Sequence, residues 1–221
     1  MMRRAWPYSV PIVVYILHAT LYRSWLIDDA LISVAYARTL TQGGGVAQAV
    51  GAPQVEGVSN PLWTLLLAGL RLAGLTDRGH VLAGVSDYVW TAKILGLGLF
   101  VGTLVLIGRI VRVVVPASRA PWAVLVSGLV IALNPAYVIW SVSGLENGLY
   151  GALVAALAAV LTVSIGNGTH LRWMVAVGAG LLAVTAALTR PDGCQRVAAG
   201  PRRHPADKSA ECGRSRGPDG S

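Results

Sequence analysis

The sequence of 221 residues predicts an all-α fold, a polytopic transmembrane helical bundle, on three observations. Hydrophobic residues make up 54% of the chain and charged residues 13%, where soluble domains carry roughly a quarter charged residues. The mean hydropathy is +0.60. Apolar runs near the roughly 20 residues that cross a bilayer recur along the chain. The net charge of +8 would point to nucleic acid in a soluble protein. Here the basic residues fall mainly at the ends of apolar runs and in the tail, so they read as orientation signals and no nucleic-acid partner is expected. The first of the two cysteines is Cys194, so the body of the chain offers no disulfide framework, zinc site or haem attachment site.

Taken in order, Met1-Met2-Arg3-Arg4 precedes an apolar run over 6–22 without a convincing small-residue cleavage site, the pattern of an uncleaved signal anchor. Runs over 89–108, 122–140, 149–165 and 171–188 bring the expected count to about five spans. The run over 61–75 is too short, rising about 22 Å against a hydrocarbon core of about 30 Å, and Arg71 interrupts it. It reads as an interfacial or re-entrant helix in the first outer loop. With the N-terminus cytoplasmic, Arg109, Arg112 and Arg119 share an inner loop and Arg172 sits at an inner span end. Trp6, Trp25, Trp90, Trp122, Trp140 and Trp173 then mark span ends. Every acid before residue 194, namely Asp28, Asp29, Glu56, Asp77, Asp87, Glu146 and Asp192, falls on the outer side.

Charge beside a bilayer is costly, so the adjacent acids Asp28 and Asp29, directly after the first run, are candidate functional residues. Each has an alternative reading. Either aspartate can cap the helix expected near Ala30, Glu56 can be a solvated loop acid, and Glu146 can cap the helix that follows it. Arg190 can be a snorkelling span-end residue. Asp77 and Asp87 sit in unremarkable loop sequence. Gly43-Gly44-Gly45 lacks the lysine of a phosphate loop and reads as a turn. Gly98 and Gly102 form a GxxxG pair, read as a helix-packing face. Asn167-Gly168-Thr169 matches a glycosylation acceptor but falls on an inner turn, and His18, His80 and His170 lack metal-ligand spacing.

The order of Asp28-Asp29-Ala-Leu-Ile-Ser with Tyr36-Ala-Arg38, then Gly43-Gly44-Gly45, then Val55-Glu56-Gly57-Val58-Ser59-Asn60-Pro61-Leu62-Trp63, resembles the first outer loop of the GT-C superfamily. Ser143-Gly144-Leu145-Glu146 and Leu188-Thr189-Arg190-Pro191-Asp192-Gly193 resemble further elements, notably those of its arabinofuranosyltransferase-like and related bacterial branches. The resemblance spans residues 1–193. It implies a multi-span enzyme that takes a sugar from a polyprenyl-phosphate donor and passes it to a cell-envelope glycan or lipid acceptor on the outer face of the cell membrane. It also implies an acidic general base in the first loop, which Asp28 matches best with Asp29 beside it. Glu56, Asn60, Glu146 and Arg190 become candidates for holding substrate. A carboxylate within reach of the acceptor hydroxyl supplies about 10²–10⁴-fold, and an arginine fork neutralises the leaving phosphate. Mg²⁺ or Mn²⁺ could be held by Asp28 and Asp29, though no dedicated ligand set is visible.

Residues 194–221 lose all apolar periodicity and are expected to be disordered. They begin where the resembling family would continue with more spans, so they read as a non-native or frame-shifted tail on an N-terminal portion that could be inactive. A non-catalytic membrane scaffold and a transporter fragment are the competing readings. The transporter is disfavoured because no acid lies mid-span. The other two are separated by whether Asp28, Glu146 and Arg190 face one cavity.

Overall fold

The computed structural model describes residues 5–52, 59–166 and 173–190, which belong to one compact unit, Met1–Pro191. The helices among them are α1 (Trp6–Thr20), α2 (Asp28–Thr41), α3 (Pro61–Leu72), α4 (Asp87–Val114), α5 (Ala120–Leu133), α6 (Pro135–Ser141), α7 (Asn147–Gly166) and α8 (Trp173–Thr189). A short antiparallel hairpin precedes α4, pairing β1 (Val81–Leu82) with β2 (Val85–Ser86). The chain is mostly helical, as its composition implies, with one strand pair that a purely α-helical reading omits. Glu56, the Asn167-Gly168-Thr169 acceptor and the tail from Cys194 lie outside the described residues.

Among the described residues two helices are long and apolar enough to cross a membrane, α4 with 28 residues and α7 with 20, rising about 42 and 30 Å. A third span is reached only if α5 and α6 count as one, and the two are bent by 72°. The run over 122–140 is therefore not a single straight helix. Its break is local chemistry: the residue before a proline is pushed out of the helical region, and Asn134 is extended at φ −75°, ψ 110°. Its side-chain Oδ1 then accepts from the Tyr137 N–H at 3.3 Å, so Asn134 caps α6 with Pro135 in the first turn. The 15 residues of α1 and 17 of α8 rise about 22 and 26 Å, so length and composition alone do not reach five spans among the described residues. The 12-residue α3 stands where a short helix is expected.

The main core joins α1, α4, α5 and α6. Tyr15 stacks on Phe100 with ring centroids 4.4 Å apart, and its hydroxyl shares a 2.7 Å hydrogen bond with Ser141. Leu104, Val138 and Val142 close around them. The glycines that permit close approach are Gly96 under Ser141, Gly108 under Tyr8, and Gly128, where a Cβ would lie 2.7 Å from Pro11 Cγ and 2.8 Å from Leu104 Cδ1. Gly98 and Gly102 are different. A Cβ on either meets nothing within 4 Å, so the GxxxG pair packs against no described residue. The motif's spacing fixes which face the glycines share and says nothing about what covers it.

A smaller core sits between α2 and α3, where Ala37, Trp63, Leu67 and Ala68 are buried together. An ion-pair clamp holds these helices. Asp77, its side chain 7% exposed, accepts from both nitrogens of the Arg38 fork and from Arg71 Nε at 2.9 Å, while Arg71 Nη1 donates to the Thr41 hydroxyl at 2.7 Å. Asp77 is thus the anchor of the clamp and not an incidental loop acid. Burial pushes its carboxyl up, but hydrogen bonds and charge from Arg38 and Arg71 outweigh that and hold it below the ordinary aspartate value. The hydrogen bonds to Asp77 push Arg38 up in turn. A depressed carboxyl stabilises the fold above its unfolded value of about 3.9 and loses that contribution as pH falls through the folded one. Asp77→Asn is expected to cost about 1–2 kcal/mol at pH 7, since Arg38 is half-exposed and screened. The gap from wild type should shrink below about pH 3.9, as thermal unfolding of both proteins in detergent at the two pH values will show.

The ends of the bundle differ in charge. Arg112 donates to the Tyr8 hydroxyl at one end, where Trp6 meets Trp122 edge-on at 5.0 Å. The other end of α4 begins at Asp87, and the chain around it carries Asp28, Asp29, Asp77 and Glu146 together with Arg38, Arg71, Arg78 and Arg190. Three of those four arginines pair with an acid: Arg38 and Arg71 with Asp77, and Arg190 with Glu146.

Candidate functional site

Four sequence motifs meet at the acidic end, and the loop between α6 and α7 joins them. The Ile27 N–H donates to the Ser143 carbonyl at 3.2 Å, which sets the start of α2 against the loop. The Trp63 indole N–H donates to the Gly144 carbonyl at 3.0 Å, which brings α3 to the same place. Gly144 has φ +87°, a conformation that L side chains rarely adopt. A Cβ there would also lie 2.7 Å from Leu26 Cδ1 and 2.8 Å from Ala30 Cβ. Lys93 completes the joint from α4, donating to the carbonyls of Trp25 at 2.9 Å and Val142 at 3.3 Å.

Asn60 is the centre of the polar cluster built on this frame. It is buried, and its Nδ2 donates to Glu146 Oε2 at 2.8 Å and to the Ser33 hydroxyl at 3.2 Å. The Thr64 hydroxyl donates to Asn60 Oδ1 at 3.2 Å. Both amide hydrogens and the amide oxygen are engaged, as a buried amide requires. The other Glu146 oxygen faces Arg190 Nε at 3.9 Å, and Arg190 Nη1 donates to Asn147 Oδ1 at 2.8 Å. Glu146 is 13% exposed at its side chain and Arg190 is 42% exposed, so the carboxylate lies behind a guanidinium that reaches solvent.

Of the residues expected at the site, Asn60, Glu146 and Arg190 come together. Asp28 and Asp29 do not join their hydrogen-bond network. Both are exposed in the first turn of α2, although Asp28 directly follows the residue bonded to Ser143. Neither caps the helix, which starts two residues earlier than expected: Ile27 is the N-cap, without a side-chain cap bond. Their charge still favours the helix N-terminus. Successive helical residues do not face one another, so Asp28 and Asp29 would need further ligands to hold a divalent cation. No group of three or more potential metal ligands occurs among the described residues.

Ser33, Trp63 and Asn147 lie in or beside the quoted motifs but gave no chemical signal of their own; Lys93 did. It is the one lysine before residue 194, set in an apolar run, where a cation marks a candidate functional position. Its partners are carbonyls, so its work here is to tie connections together. An apolar recess beneath the loop, lined by Leu26, Ala30, Val34, Trp63 and Leu67, encloses only about 10 Å³. That is about the space of one water molecule. No protein-family model matches the chain, and neither a curated protein nor a solved structure does.

Proposed function

We propose that the chain acts as an integral-membrane glycosyltransferase of GT-C type, moving a sugar from a polyprenyl-phosphate donor to a cell-envelope hydroxyl on the outer face of the membrane. In this reading five helices span, α3 lies at the interface, and the acidic end faces outward with the N-terminus cytoplasmic. The observation that supports it most directly is the meeting of Ser33, Asn60, Glu146 and Arg190 from four motifs that the resemblance singles out. Asp28 would take the proton of the acceptor hydroxyl as its oxygen attacks the anomeric carbon and the phosphate leaves. Arg190, oriented by Glu146 and Asn147, would neutralise that phosphate through permanently charged donors.

A non-catalytic scaffold is the second reading, and a specific observation favours it: Glu146 is engaged on both sides, and Asp28 stands outside the cluster. Purified protein in liposomes, given a radiolabelled polyprenyl-phosphate sugar and an acceptor glycan, separates the two. The transferase reading expects Arg190→Gln to lower transfer by about 10–100-fold, the worth of a charge-assisted contact, with little change in melting temperature. No transfer by wild type, with Arg190→Gln lowering only the melting temperature, would leave the scaffold.

A further inference from the structure

We infer that the β1–β2 hairpin is a membrane-surface anchor, whose apolar tip seats in the headgroup and upper acyl region of the bilayer beside α4. This inference does not rest on the transferase reading. The tip is Val81-Leu82-Ala83-Gly84, four residues without charge, and Val81 and Leu82 are each 66% exposed. Charged and ionisable groups collect at the base instead. Asp87 Oδ2 accepts from the Arg78 backbone at 2.6 Å, and the Asp87 N–H donates to the His80 carbonyl at 2.9 Å. A two-stranded hairpin is marginal in water by itself, and this one turns through Ala83 and Gly84, both at positive φ. It spends that conformation on presenting two large aliphatic side chains outward.

What covers them is indicated by continuity with α4. The Trp90 indole N–H donates to the Leu82 carbonyl at 3.0 Å, which pins the hairpin to the first turn of the helix. Trp90 is itself 38% exposed, and the face it begins continues at four-residue spacing through exposed Ile94 and uncovered Gly98 and Gly102. That is the unpacked face of a helix long and apolar enough to cross a membrane, so lipid is its natural neighbour. A tryptophan at the end of such a face belongs at the water interface, and the hairpin bonded to it lies at the same level. Leu75, also 66% exposed, is held to the start of α4 as well, its carbonyl accepting from the Thr91 hydroxyl at 3.3 Å. The arrangement matches an interfacial anchor: aliphatic residues inward, basic groups at headgroup height.

Single cysteines at Val81, Leu82, Arg78 and Ile94, placed in a Cys194→Ser, Cys212→Ser background and labelled with an environment-sensitive fluorophore, test the idea in liposomes of the full chain. The expected result is blue-shifted emission at Leu82 or Val81, with loss of intensity when nitroxide-labelled lipids are added. Arg78 should respond to aqueous iodide instead, and Ile94 should report lipid as the control for insertion. Iodide quenching at both tip positions, with Ile94 reporting lipid, overturns the proposal. Protection of both from iodide and nitroxide alike does so too, because a protein partner would then cover the tip. Absence of lipid quenching at Ile94 removes its basis.

Discussion

Gly144→Ala is expected to destabilise the acidic end of the bundle by about 2–5 kcal/mol, combining a left-handed backbone cost of about 1–2 kcal/mol with overpacking of about 1–3 kcal/mol. The new methyl would press on Leu26 Cδ1 in the connection into α2 and on Ala30 Cβ in the first turn of that helix. Relief by moving the loop would break the bonds from Ile27 to Ser143 and from Trp63 to Gly144. Gly98→Ala supplies the contrast, because its Cβ meets nothing and the position is helical. It should be neutral or stabilise by up to about 1 kcal/mol. Melting temperatures of the two variants in one detergent decide the matter. Equal stability would mean that the Gly144 loop is not packed as described.

Asp28→Asn is expected to lower sugar transfer by about 10²–10⁴-fold, or about 3–5 kcal/mol of barrier, because an amide cannot accept the acceptor's proton. Asp29→Asn should do far less. The structure makes this comparison cleaner than sequence alone allows. Both aspartates sit in the first turn of α2, both are exposed, and neither caps the helix, so each substitution forfeits a similar dipole interaction of about 0.3–1 kcal/mol. A difference in rate between variants of matched stability therefore reports chemistry. Near-wild-type transfer by Asp28→Asn, measured with purified protein in lipid, would return Asp28 to a purely electrostatic role at the helix start.

The features readable in the sequence are those with local causes. Helices α4 and α7 follow from long apolar runs, broken in α4 only by Lys93 before its last turns, and α3 from a run that is too short to span. The break at Asn134-Pro135 was equally local, an N-cap residue followed by proline, but averaging hydropathy over 122–140 conceals it. The pairings were not readable. Asn60 and Glu146 are 86 residues apart, and Arg38 lies 39 residues from Asp77, so neither partnership has a local signature and Asp77 looked like an isolated loop charge. The motif residues Asn60, Glu146 and Arg190 were singled out by the pattern around each, and the fold brings them into contact. Ser33 and Lys93 take their roles from neighbours that only folding supplies.

The elbow between α5 and α6 converts climb into sideways reach. Seven residues of α6 rise about 10 Å along their own axis, and at 72° from α5 nearly all of that length is lateral. A straight continuation would have carried Ser143 and Glu146 up and away from α2 and α3. The elbow instead works like a bracket, cantilevering the loop over the start of α2, and its hinge is fixed from below by the hydrogen bond between His18 Nδ1 and the Ala132 carbonyl at 2.9 Å. The spacing of the Asn60, Glu146 and Arg190 cluster is thereby dictated by a joint that contributes no side chain to it.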